Sequence, residues 1–141
     1  MTTETDVAII GAGPIGLFAA FQLGLLEVKA QIIDALPQVG GQPGALYADK
    51  PIYDIPGIPL CSGQALVDGL MRQLAPFAPG FHLGQLVSTL ARRSDGRWLL
   101  HTHKGGRLLA KAVFIAAGVG AFVPKRLKVA DIDAFEDRQL F

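Results

Sequence analysis

The 141-residue sequence holds a single cysteine, Cys61. No disulfide can close within the chain, and no Cys-x-x-Cys redox pair is present in it. Charge of neither sign dominates: 13 basic residues face 12 acidic ones, the net charge is +1, and no basic run stands out. A nucleic-acid or anionic-lipid surface is therefore not expected. Long apolar runs are missing as well. Residues 14–26 form the most apolar stretch, and Gln22 interrupts it well short of the roughly 20 residues a membrane-crossing helix needs. Residues 1–6 carry two acids and no Lys or Arg, unlike a secretory signal, so a cytoplasmic location is the expectation. What the sequence does have is a globular balance, half hydrophobic and 18% charged, enough for one core. It also has 17 glycines and nine prolines, clustered at 11–16, 39–44, 55–59 and 118–120, where they read as turns between regular elements.

Val7, Ala8, Ile9 and Ile10 form a short apolar run before a glycine turn, the pattern of a buried parallel strand. Residues 14–25 read as a helix through Leu17, Phe18, Phe21 and Leu25, and residues 30–33 as a second strand closed by Asp34. Residues 36–59 show no period and read as a long loop. Ser62 is placed to cap a helix over 63–74 with Leu66, Val67, Leu70, Met71 and Leu74 as its apolar stripe, ended by Pro76 and Pro79. Three extended segments follow, 81–92, 97–103 and 108–115, joined by the turns Ser94-Asp95-Gly96 and Gly105-Gly106. The first two pair as an antiparallel hairpin on this reading, and the third ends as a buried strand meeting Gly118. The fold class expected is α/β: a Rossmann-like domain with a parallel sheet, a small antiparallel β-meander attached, and an incomplete carboxyl end.

The first constellation is Gly11-Ala12-Gly13-Pro14-Ile15-Gly16 with Asp34. A lone GxGxxG is weak, but here a strand precedes it, a helix follows it and an acid closes the next strand. Gly11 permits the tight turn, Gly13 lets backbone approach a pyrophosphate, and Gly16 lets the helix pack close to the sheet. Pro14 suits the first helical turn, where its missing N–H costs nothing. The pyrophosphate would sit at the helix amino terminus, beside Ile15. Asp34 would accept hydrogen bonds from ribose hydroxyls. It would also repel a 2′-phosphate at about 4 Å by up to about 4 kcal/mol at an effective dielectric of about 20, favouring FAD or NAD over NADP. The alternative is a glycine turn in a sheet protein that holds no ligand.

The second constellation, Gly40-Gly41-Gln42-Pro43-Gly44-Ala45-Leu46-Tyr47, offers close backbone, an amide with both donors and an acceptor, and an aromatic face. On residue chemistry alone it reads equally as the wall of a flat ligand's site or as a surface loop. The resemblance says more. Asp34 to Gln42, then Ala45-Leu46-Tyr47, Ile52-Tyr53-Asp54-Ile55-Pro56-Gly57 and Ala117-Gly118-Val119-Gly120-Ala121-Phe122-Val123-Pro124-Lys125 make the chain resemble the bacterial ferredoxin–NADP reductases of the thioredoxin-reductase-like type. That resemblance implies bound FAD, electron transfer between NADPH and ferredoxin or flavodoxin, and no side chain serving as acid or base. Position by position it implies pyrophosphate contacts at Gly11, Gly13, Pro14, Ile15 and Gly16, and the ribose acid at Asp34. It also implies flavin-side contacts at Gln42 and Tyr47, an adenine-side backbone contact at Val87 and an aromatic contact at Phe122. A homodimer is compatible with it. Residues 1–124 would be the amino-terminal part of an FAD-binding domain and 125–141 a link toward an NADPH domain, because a second glycine turn and the family's closing Gly-Asp motif are not in the sequence. The departures leave room for another two-dinucleotide flavoenzyme such as a thioredoxin reductase, for a non-catalytic FAD-binding module, and for an NAD-binding dehydrogenase fragment.

Other reactive residues form no site on this reading. His82, His101 and His103 lack a carboxylate or Cys at metal-like spacing and read as solvated or packed histidines. Cys61 precedes a helix start but reads as a small buried side chain, Trp98 as hairpin packing and Asp54 as a turn residue.

Overall fold

The structure, a computed structural model, describes residues 2–120; Phe122 and the expected 125–141 link lie outside the described residues. Among these residues eight strands and three α-helices follow in chain order: β1 (Thr3–Ile10), α1 (Pro14–Leu25), β2 (Ala30–Ile33), α2 (Gly41–Leu46), β3 (Pro51–Ile52), β4 (Cys61–Ser62), α3 (Gly63–Leu74), β5 (Gly80–His82), β6 (Val87–Arg92), β7 (Trp98–Thr102) and β8 (Arg107–Ile115). Six strands make one sheet in the order β5-β2-β1-β8-β7-β6, and β3 pairs with β4 in a separate two-stranded ribbon. β5, β2, β1 and β8 run parallel; β7 and β6 continue the same sheet antiparallel. The meander is thus an extension of the main sheet.

Local signals place α1, β2 and α3 well. α1 opens on Pro14, α3 opens where the Ser62 hydroxyl accepts the Ala65 N–H at 3.1 Å, and β2 stops at Asp34. β1 starts earlier than its apolar run because Thr3, Glu4 and Thr5 pair with Leu108, Leu109 and Ala110 of β8. Four expectations need correction. Residues 36–59 hold α2 and β3; α2 has only six residues, and three of them, Gly41, Pro43 and Gly44, are poor helix formers, so the surroundings hold it rather than its own propensity. Residues 81–92 are two strands at opposite edges of the sheet, β5 against β2 and β6 against β7. The turn at Gly84 (φ +62°) separates them. On α1 the buried line is Gly16, Leu17, Ala20 and Leu23, with Phe18 and Leu25 exposed, because the helix lies closest to the sheet along its small residues. The end of β8 is open: Phe114 is 42% exposed and Ile115 72%.

Two apolar clusters sandwich the sheet. Val7, Ile9, Leu17, Ile32, Val67 and Leu74 gather under α1 and α3. Ala8, Ile33, Leu100, Leu108 and Ala110 gather on the other face. Strand order runs one way from β1 to β2 and the other way to β8, so the crevice at the carboxyl end of β1 is a topological switch point, where open α/β sheets bind ligands.

Candidate functional site

At that switch point β1 ends in the glycine turn. Gly11 has φ +112°, and its N–H donates to the Ile33 carbonyl at 2.8 Å; a Cβ there would collide with the Ala116 carbonyl. Gly16 is buried, and a Cβ on it would strike the Gly11 carbonyl. Gly13 differs. The nearest atom to a Cβ there would be the Gly41 Cα at 3.8 Å, ordinary contact, so the fold itself leaves that space free. Gly13 is also the N-cap of α1, with no side chain closing the first turn. The unpaired amides of a helix start and the positive end of its dipole therefore face this space.

A cavity of about 450 Å³ opens there. Gly11, Gly13, Pro14, Ile15, Asp34, Gln42, Tyr47 and Val87 all line it, so residues separated by up to 76 positions meet around one space. Gly16 lies behind the wall as a packing residue. Among the described residues Asp34 is the one charged residue of the lining. Its carboxylate works locally: one oxygen accepts the Ala12 N–H at 2.6 Å and the other the Leu36 N–H at 2.8 Å. Each oxygen keeps a further lone pair for a ligand hydroxyl.

The glycine pair serves packing as much as access. Gly40 (φ +116°) donates its N–H to the Ala12 carbonyl at 2.9 Å, and a Cβ on Gly41 (φ +56°) would come within 2.9 Å of the Gly13 Cα. This contact seats α2 against the glycine turn. Gln42 extends its amide toward Gly118, where a Cβ would lie 3.8 Å from the Gln42 Nε2. Tyr47 ends α2 at the cavity rim, with the Lys50 ammonium 5.7 Å from its ring centre.

Sequence reasoning missed Gln85 and Leu86, which line the cavity beside Val87. Residues 84–86 form a connection whose three successive amides are all held. Gly84 donates to the Leu36 carbonyl at 2.7 Å, Gln85 to the Asp34 carbonyl at 2.8 Å and Leu86 to the His103 Nδ1 at 3.0 Å. The Thr102 hydroxyl adds a bond to the Gln85 side chain at 2.7 Å. Gly84 was the available signal: a glycine inside a supposed strand marks a bend or a close approach. Among the described residues no group of three His, Cys, Asp or Glu could hold a metal ion, and no helix is long and apolar enough to cross a membrane.

Strand order, glycine turn and switch-point cavity define a Rossmann-like α/β domain. Its sequence is similar to proteins named ferredoxin–NADP reductase, which bears out the resemblance read from its motifs. The Polaromonas naphthalenivorans protein is 60% identical over 138 residues, 98% of this chain and 38% of the relative. That of Verminephrobacter eiseniae is 62% identical over 98% of this chain and 39% of the relative. The chain thus spans less than two fifths of the length of these curated relatives. No family model matches it. Among solved structures, the thioredoxin reductase of Streptococcus pyogenes superposes with a TM-score of 0.73 at 24% identity, over 96% of this chain and 41% of that one. A cyclohexanone monooxygenase superposes with a TM-score of 0.71 at 19% identity, over 90% of this chain and 28% of that one. These likenesses share the fold.

Proposed function

We propose that the chain is the FAD-binding part of an NADPH-dependent flavoenzyme of the ferredoxin–NADP reductase kind. The observation that carries this reading is the free space at Gly13 in front of an uncapped helix start, with a carboxylate at the end of the next strand. That donor set suits a pyrophosphate joined to an adenosine ribose. Bound flavin would supply the redox chemistry, accepting hydride from NADPH and passing electrons to ferredoxin or flavodoxin. The chain's own residues bind and orient. Gly11, Gly13, Pro14 and Ile15 receive the pyrophosphate, with Gly16 fixing the helix behind them. Asp34 receives the ribose, Val87 borders the adenine, Gln42 and Tyr47 lie on the flavin side, and Phe122 supplies the aromatic contact that the resemblance implies. On this reading residues 1–124 would be the flavin-binding part and 125–141 a link toward a nicotinamide domain.

The relatives at 60–62% identity carry the ferredoxin–NADP reductase name, whereas the thioredoxin reductase structure stands at 24%, which supports an electron-carrier partner over a disulfide substrate. The test is reconstitution of the purified chain with FAD, followed by its visible spectrum. A bound, structured flavin band that Gly13→Val abolishes is the expected result; equal flavin retention by the variant overturns the pyrophosphate assignment. With one glycine turn in the sequence and Asp34 opposing a 2′-phosphate, the flavin-loaded chain should not bleach rapidly when mixed anaerobically with micromolar NADPH. Rapid bleaching would place a nicotinamide site within these residues.

A further inference from the structure

The three consecutive amides of residues 84–86 differ in what holds them. Gly84 and Gln85 donate to backbone carbonyls, which no change of pH alters. Leu86 donates instead to a side chain, the His103 Nδ1, at 3.0 Å, while the His103 N–H returns a bond to the Leu86 carbonyl at 2.9 Å. The ring bond exists only while Nδ1 carries a lone pair, which requires the neutral imidazole with its proton on Nε2. An imidazolium would present a second N–H to the Leu86 N–H. Leu86 lines the cavity between Gln85 and Val87, so this bond sets the wall where the adenine side of the ligand would lie.

We propose that His103 is a positioning residue for the cofactor cavity, holding the Leu86 amide of the 85–87 wall through its neutral Nδ1 and releasing that amide on protonation. The proposal rests on the FAD reading for its ligand, but not for its structural link. Lys104 follows His103 in the chain, with its ammonium 3.5 Å from where a Cβ on Gly84 would be. His101 lies on β7, in register with Arg107 on β8. Among the described residues no carboxylate reaches His103 within hydrogen-bond or ion-pair distance to compensate a charge on it.

The experiment has two arms on the full chain. In the first, the Leu86 amide shift and exchange rate and the His103 ring signals are followed by NMR without flavin from about pH 8 to about pH 5, where histidines change charge. The Leu86 amide is expected to lose protection in step with His103 protonation; a Leu86 amide indifferent to that titration overturns the proposal. In the second, FAD binding is followed by flavin fluorescence over the same range. The affinity should fall about threefold to tenfold on acidification, the size of one lost hydrogen bond. His103→Asn, whose Oδ1 can take the place of Nδ1, should keep the high-pH affinity and lose the pH dependence, with His82 and His101 still present. His103→Phe should bind weakly at every pH. A His103→Phe chain with the unaltered affinity and pH profile overturns the proposal. Absence of FAD binding at any pH, with the Leu86 amide still tracking His103, overturns the flavin reading and leaves the positioning link standing.

Discussion

Gly11, Gly13 and Gly16 share one motif but answer to three different constraints. Gly11 is held by its positive φ and the Ala116 carbonyl and Gly16 by the Gly11 carbonyl, whereas a Cβ on Gly13 would meet nothing nearer than the Gly41 Cα at 3.8 Å. Gly13→Val should therefore leave the unfolding midpoint close to that of the parent while flavin content collapses. Gly16→Val should unfold the domain outright. Circular dichroism melts beside flavin absorbance separate the two, and equal damage from both would remove the distinction. Asp34 carries two burdens. Ala12 is fully buried, and its N–H has the Asp34 carboxylate as partner, so Asp34→Ala leaves a buried amide without one. We expect a loss of about 1–3 kcal/mol in urea unfolding from that amide. A further weakening should appear for FAD but not for FMN, which has no adenosine ribose; identical losses for the two flavins would assign Asp34 to the fold alone.

At the scale of elements, α3 shows the value of a local signal. Ser62 lies before a stripe of apolar residues, its hydroxyl accepts the Ala65 N–H, and Val67 and Leu74 are buried. Ser62→Ala should lower stability by about 1 kcal/mol, read as a shift in urea midpoint at constant slope. α1 and β2 were legible for the same reason: Pro14 and Gly13 act within a turn of where they stand in sequence, and Asp34 closes β2 and accepts the Leu36 N–H two residues on. α2 was not, because its support is remote. A Cβ on Gly63 would come within 2.7 Å of the Pro43 carbonyl, and Gly41 abuts Gly13. No pattern within 41–46 announces either contact. The split of 81–92 into β5 and β6 was hidden likewise, since alternation looks the same whichever partner strand a segment takes. The cavity was half legible. Motif chemistry gave the turn and Asp34, and the family resemblance gave Gln42, Tyr47 and Val87. Gln85 and Leu86 came only with the path of the chain between two edges of the sheet.

Across the whole molecule, charge and ligand occupy opposite ends of the parallel strands. At the end away from the cavity, Asp6 accepts from the Lys111 ammonium at 2.7 Å and the Lys29 N–H at 3.2 Å, and both hold its carboxyl below its ordinary value of 3.8. Asp95 is lowered likewise, chiefly by the Arg97 side chain. Carboxyls depressed in the folded state stabilise it above the unfolded value, and that contribution is lost as pH falls through the lower folded one. Asp6→Asn should therefore flatten the dependence of the urea midpoint on pH below about 4, and added salt should shrink the difference because Lys111 is exposed and Asp6 only half-buried. At the other end, Ala112, Val113, Phe114 and Ile115 of β8 have a strand partner on the β1 side only, among the described residues. Such an edge beside exposed apolar side chains invites pairing, so sedimentation of the chain should show association rising with concentration, and Ile115→Lys should reduce it. The cavity itself has a different kind of consequence. Its walls come from four separate stretches, near 11–15, 34–36, 41–47 and 85–87, with a fifth at 116–120. A molecule filling it would fasten these stretches together, resisting every opening that parts any two of them. Segment 48–60 hangs from the end of α2 and is mostly exposed. Protease nicking there would then report cofactor supply, and a cell short of flavin would clear this protein faster than one that has it.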